Sequence, residues 1–211
     1  MKVLMINGSP KAKGCTNRAL EEIQKVLNEE EVETEIIHIG NKVIRGCIDC
    51  NYCRKAGTTG KCVFHDEVNE AIEKLMNADG LIIGSPVYYS SPNGTLISFL
   101  DRMFHAAPYE AFAHKPGAAI VSARRAGTTA SFDVLNKYFS IHEMPIVSSQ
   151  YWNMVHGYTP EDVEKDEEGL QIMRTLGRNF VWVLKALKIA SQSGIEPPLQ
   201  VESKIRTNYI R

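Results

Sequence analysis

Short, unbroken apolar runs separated by helical repeats constrain this chain more than any other feature. Residues 3–6 (VLMI), 81–83 (LII) and 118–121 (AAIV) are apolar at every position, the pattern of strands covered on both faces. Residues 32–39 alternate only in part and read as another strand. Between the runs, apolar residues recur at helical spacing: Ala19, Leu20, Ile23, Val26 and Leu27, then Val68, Ala71, Ile72, Leu75 and Met76, then stretches at 96–104, 132–139 and 170–190. Asp66 stands where it can cap the second of these helices. Pro145, Ile146 and Val147 read as a last short strand. Strands that alternate with helices and lack a wet face build a parallel sheet with helices on both sides. The expected fold is therefore α/β, a doubly wound five-stranded parallel sheet with strand order 2-1-3-4-5. It occupies residues 1–193 as one domain with a cysteine-rich insertion at 40–65, and residues 194–211 form a C-terminal tail. Residues 150–169 exceed what an idle connection needs.

Composition narrows function more than fold. Lys and Arg total 24 against 25 Asp and Glu, a net charge of -1, which offers no broad basic surface for nucleic acid. No run approaches the roughly 18 apolar residues of a membrane span. The apolar start is short and stops at Gly8, Ser9 and Pro10, without the length or cleavage site of a signal peptide. The expected location is the cytoplasm. Thiols stay reduced there, so the five cysteines read as redox or metal candidates rather than disulfides. The six histidines lack i, i+4 pairing, and no G-x-S-x-G elbow occurs, so neither a zinc enzyme nor a serine hydrolase has a motif.

Ligands of an open parallel sheet collect at the carboxyl ends of its strands, which directs attention to three loops. The first, residues 8–17, joins a buried strand to a helix start, where N–H groups and the helix dipole favour anions. Ser9, Thr16 and Asn17 add short polar side chains, Lys11 a cation, Gly14 room for the backbone, and Cys15 a small thiol. Five residues separate Gly8 from Gly14 and no lysine precedes Thr16, so the triphosphate motif is absent, as is G-x-G-x-x-G. A single phosphate is favoured over ATP or tightly held NAD. The plainer alternative is that Pro10 and Gly14 shape a turn and Thr16 caps the helix. In the second loop, Tyr88 and Tyr89 suit a flat ring such as a flavin, or else they pack on a helix or subunit. In the third, Arg124 and Arg125 could meet flavin carbonyls or the phosphates of NAD(P)H, or form a solvated pair. Trp152, Asn153 and His156 are candidates for a substrate pocket, with interface packing the alternative for Trp152.

Residues 8–10 with Thr16 and Asn17, residues 85–89 (SPVYY) and residues 99–102 (FLDR) together resemble the NADPH-dependent FMN reductase family, of flavodoxin-like fold. The cysteine-rich insertion makes the chain more similar to that family's iron-sulfur flavoprotein branch. The resemblance implies that Ser9, Lys11, Cys15, Thr16 and Asn17 hold the FMN phosphate. It puts Pro86, Val87, Tyr88, Tyr89 and Ser90 along the isoalloxazine, with Ala123, Arg124 and Arg125 at its far edge. Relatives often have a glycine-rich third loop where this chain has the arginine pair. The resemblance also implies a homodimer or homotetramer with flavins near subunit interfaces. The expected function is transfer of electrons from NAD(P)H through FMN to a flavin, a quinone or another small-molecule or protein acceptor. The alternatives are a flavodoxin-type or iron-sulfur flavoprotein electron carrier without its own NAD(P)H turnover, and a metal-binding module built on the cysteines.

Cys47, Cys50, Cys53 and Cys62 form C-x2-C-x2-C-x8-C, four thiols that can converge because Gly57 and Gly60 let the last fold back. The bacterial ferredoxin run has a shorter third gap and a following proline, both absent here. A [4Fe–4S] cluster, a structural zinc and reduced thiols all remain open, although overlapping C-x2-C-x2-C is less usual for zinc than two separated pairs. Cys15 belongs to none of these and reads as a small packing residue.

Overall fold

The central strand, β1 (Lys2–Asn7), pairs in parallel with β2 (Glu33–His38) on one side and β3 (Gly80–Tyr88) on the other. A two-residue strand, β4 (Ser91–Pro92), folds back antiparallel on the end of β3, and β5 (Gly117–Ala123) and β6 (Met154–His156) extend the sheet in parallel. The order is β2-β1-β3-β5-β6 with β4 off this path. Without the β4 hairpin, the five parallel strands follow the predicted 2-1-3-4-5. This computed structural model describes residues 1–198 together with 202, 203, 205 and 207, so the tail predicted at 194–211 lies partly outside the described residues.

The unbroken apolar runs are explained by two cores, one on each face. Leu4, Ile6, Leu81 and Ile83 pack beneath α2 (Glu67–Met76), α3 (Gly94–Ala106) and α4 (Thr128–Ser140). Val3, Met5, Ile82, Ala118 and Ile120 pack beneath α1 (Cys15–Glu29) and α6 (Glu167–Gln192). Successive side chains in a strand point to opposite faces, so every position of these strands is apolar. The short α5 (Pro160–Val163) opens with a capping box of Thr159 and Asp162. Asp66 caps α2 as expected, its carboxylate accepting the Val68 N–H. Glu22 of α1, nearly buried, accepts Arg18 of its own helix and Arg174 of α6 at 2.9 and 2.6 Å.

The last strand corrects the sequence reading. Pro145, Ile146 and Val147 do lie beside β5, but only Ile146 bridges to Gly117, with hydrogen bonds of 2.9 Å on either side. The chain then leaves the sheet at 148–153 and returns as β6 against Val121, Ser122 and Ala123. The return is fixed by Asn153, which is buried and donates to the Ala119 carbonyl at 3.0 Å while its own carbonyl accepts the Val121 N–H. Among the described residues, no helix is long and apolar enough to cross a membrane.

Candidate functional site

Asn7, at the carboxyl end of β1 and without solvent exposure, organises the first loop. Its Oδ1 accepts the Ser9 N–H at 3.0 Å, and its amide donates to the Ala12 carbonyl and to Asn17 Oδ1. The Ser9 hydroxyl accepts the Lys11 N–H. Helix α1 then starts at Gly14 with no side chain capping it. The first-turn N–H groups, which have no intrahelical acceptor, therefore face the loop without a protein cap. Thr16 is not that cap, contrary to the plainer sequence reading. It is buried, and its hydroxyl lies 2.7 Å from that of Ser122 on β5.

Two glycines bring the loops together. A Cβ on Gly40, just after β2, would fall 2.2 Å from the Ser9 carbonyl carbon and oxygen, so only glycine allows the post-β2 chain to cross the first loop this closely. Gly127 takes φ 97°, and a Cβ there would fall 2.8 Å from Val87 and 2.9 Å from Ser90 Oγ. The third loop thereby closes on the second. Between them lies a cleft of about 280 Å³ bordered by Ser9, Lys11, Gly14, Cys15 and Thr16, by Pro86, Val87 and Tyr88, and by Ala123 and Arg124. Lys11 and Arg124 are its cations, and no carboxylate borders it among the described residues.

Four predicted residues stand outside this lining. Asn17 is occupied between Asn7 and Glu21, with its amide donating to Glu21 at 2.6 Å. Tyr89 is fully exposed and, with Ser90, forms the β3–β4 turn at φ 51° and 58°. Arg125 is exposed on the third loop. Cys15 does border the cleft, but its thiol donates to the Gly157 carbonyl at 3.5 Å, and burial pushes its pKa up. Sequence reasoning missed Gly157 and Tyr158, which close the cleft from the end of β6. Placing the last strand at 154–156 would have exposed them as a fourth loop at the same sheet edge. Trp152 and His156 do not border the cleft; Trp152 meets Tyr151 edge-on with ring centroids 5.0 Å apart.

The cysteine insertion packs against α3 away from this cleft. Its one regular piece is a 3-10 turn at Tyr52–Arg54, and Cys47 and Cys50 are exposed, Cys62 half-buried and Cys53 buried. All four cysteines border one small space of about 20 Å³. Among the described residues, no three Cys, His, Asp or Glu side chains stand close enough together to grip an ion. The donor set nonetheless suits a thiolate-held group, and one sign of a missing partner is present: His105 borders the same space, and its Nε2 is buried without a hydrogen bond. Buried polar atoms are rarely left so. Cys53 is pushed up in pKa by its burial. Arg102, in the FLDR stretch of α3, reaches into the insertion and binds the sulfur of Cys62.

A doubly wound parallel sheet of this strand order, with a cationic cleft at the carboxyl ends of its strands, is a flavodoxin-like fold. A flavodoxin from the domain Archaea superposes with TM-score 0.58 at 17% identity, covering 88% of this chain and 99% of that one. RosB, solved with a bound riboflavin-phosphate intermediate, superposes with TM-score 0.72 at 13% identity, covering 100% and 94%. The chain belongs to the NADPH-dependent FMN reductase family, whose model matches residues 1–159. It is also similar to an iron-sulfur flavoprotein of Methanocaldococcus jannaschii, 33% identical over 195 residues that cover 89% of this chain and all of that one.

Proposed function

We propose that the protein is an FMN-dependent oxidoreductase that takes electrons from NADH or NADPH and passes them to a small-molecule or protein acceptor. One observation carries this reading: three strand-end loops, chosen from sequence as a flavin site, border a single cleft with two cations and an open helix start. The Ser9 hydroxyl, the first-turn N–H groups of α1 and the Lys11 ammonium would hold the phosphate. Pro86, Val87 and Tyr88 would flank the ring, with Ala123 and Arg124 at its far side. FMN, when bound, supplies acceptance of a hydride from nicotinamide and onward electron transfer. The chain's own residues bind, orient and shield. Tyr88 and Tyr158 cover the open side, and Arg124 offers a cation to an incoming phosphate. Exposed Tyr151 and Trp152 support a homodimer or homotetramer that buries this part of the rim. Titration with FMN, riboflavin and FAD, followed by steady-state NADH and NADPH oxidation with FMN present, tests the reading. Micromolar or tighter FMN binding with turnover is expected. Equal binding of riboflavin would remove the phosphate role of the first loop, and absent turnover would leave a carrier.

A second reading is favoured by the cysteine insertion: the protein also holds a [4Fe–4S] cluster through Cys47, Cys50, Cys53 and Cys62. The space bordered by all four cysteines, the orphaned His105 nitrogen and the likeness to a protein named an iron-sulfur flavoprotein support it. Iron and sulfide analysis of anaerobically prepared protein decides it. Iron well below one atom per chain after reconstitution would leave zinc or free thiols.

A further inference from the structure

Arg102 is the largest fully buried side chain in the molecule's described residues, and the flavin cleft does not use it. Three of its five N–H bonds are spent on the insertion and two on Asp66, the cap of α2 that follows it. Nε and Nη2 donate to Cys62 Sγ at 3.3 and 3.2 Å, Nη1 and Nη2 donate to the two Asp66 oxygens at 2.6 and 2.9 Å, and Nη1 also donates to the Arg45 carbonyl at 3.3 Å. Its guanidinium further lies 4.9 Å from the centre of the Phe64 ring. One group thus ties Arg45, near the start of the insertion, to Cys62, near its end, and to Asp66 at the start of α2. The backbone of Cys62 is held as well: its N–H donates to Asn69 Oδ1 at 2.8 Å, and its carbonyl accepts the Asn69 amide at 3.0 Å. Cys47 and Cys50, in contrast, are exposed on irregular chain.

We propose that Arg102, locked by Asp66, is a positioning residue that fixes the Cys62 sulfur as the anchoring ligand of the thiol site and raises the reduction potential of the cluster bound there. This rests on the cluster reading above. Hydrogen bonds to a ligating sulfur draw off charge and so favour the reduced, more negative state, which raises the potential. A sulfur already in place also shortens the search for the other ligands, two of which, Cys47 and Cys50, stand exposed on irregular chain. A bidentate guanidinium is required for this, because an ammonium keeps the charge but cannot reach two sulfur-directed and two carboxylate-directed positions at once.

The test uses the full chain, anaerobically reconstituted with iron and sulfide and loaded with FMN, as wild type and Arg102→Lys. With FMN content equal in both, the variant is expected to show a more negative cluster potential and several-fold faster loss of iron to a chelator. Equal potentials and equal chelation rates would overturn the proposal while leaving the cluster reading intact. Wild type with less than one iron per chain would overturn the cluster reading and the proposal with it. Should the variant fail to hold FMN, wild type labelled with 15N-arginine answers instead. A hyperfine coupling from a guanidinium nitrogen in the dithionite-reduced protein supports the proposal, and its absence overturns it.

Discussion

Tyr88 and Tyr89 are neighbours in the chain with opposite surroundings, one bordering the cleft and the other fully exposed at a left-handed backbone angle. An aromatic partner is worth about 0.5–1.5 kcal/mol beyond its area, so Tyr88→Ala is expected to raise the FMN Kd roughly 2- to 13-fold. Tyr89→Gly is expected to leave that Kd within about twofold and not to lower the melting temperature, because glycine adopts the positive φ freely. Fluorescence titration and thermal melting read both, and a larger affinity loss at Tyr89 would reverse the assignment. Thr16 makes a different kind of prediction. Thr16→Val leaves the Ser122 hydroxyl unpaired in a buried place, at a cost of about 1–3 kcal/mol. Adding Ser122→Ala should restore part of that stability in urea unfolding, since no orphan hydroxyl then remains.

Helices α1 and α6 are joined by Glu22, and this pairing has a pH signature. Burial alone would raise the Glu22 pKa, but the Arg174 and Arg18 guanidiniums outweigh it and hold the carboxyl below the ordinary glutamate range. A depressed folded pKa means that the pair's stability is fully present above the free value of about 4.3 and is lost as pH falls through the lower folded value. Glu22→Gln should cost about 1–2 kcal/mol at neutral pH, and the gap to wild type should narrow in acid below about pH 4. A gap independent of pH would show that packing, not charge, joins these helices. The elements themselves were legible to unequal degrees. Residues 3–6, 81–83 and 118–121 stood out because burial on both faces leaves no polar position. The edge strand did not, because backbone bonds and Asn153, rather than an apolar run, determine where it returns. In the same way, the loops of the site could be located as strand ends, yet Asn17, Tyr89, Ser90 and Arg125 turned out of the lining. Their directions are set by tertiary contacts, such as Asn7 on Asn17 and Gly127 against Ser90, that no local pattern encodes.

For the whole molecule, a ligand that binds only the folded state adds stability by mass action, about 2.7 kcal/mol at a hundredfold excess over Kd. In a chain of this size that corresponds to a rise of roughly 5–11 °C in melting temperature. FMN should produce it and riboflavin should fall short if, as proposed, Lys11 and the open helix start of the first loop hold the phosphate. Gly40→Ala should abolish much of the shift, because a methyl group cannot coexist with the Ser9 carbonyl at 2.2 Å. The broken edge strand has a different consequence. Residues 145–147 and 154–156 are each held to β5 by their own bonds, so the stretch between them is spliced into the rim like a removable panel. A change of length confined to Tyr151 and Trp152 is therefore expected to leave the sheet register in place as long as Ser149, which donates to Asn153 Oδ1 at 2.7 Å, and Ser148, whose carbonyl accepts the Asn179 amide at 2.8 Å, keep the two ends of the stretch pinned.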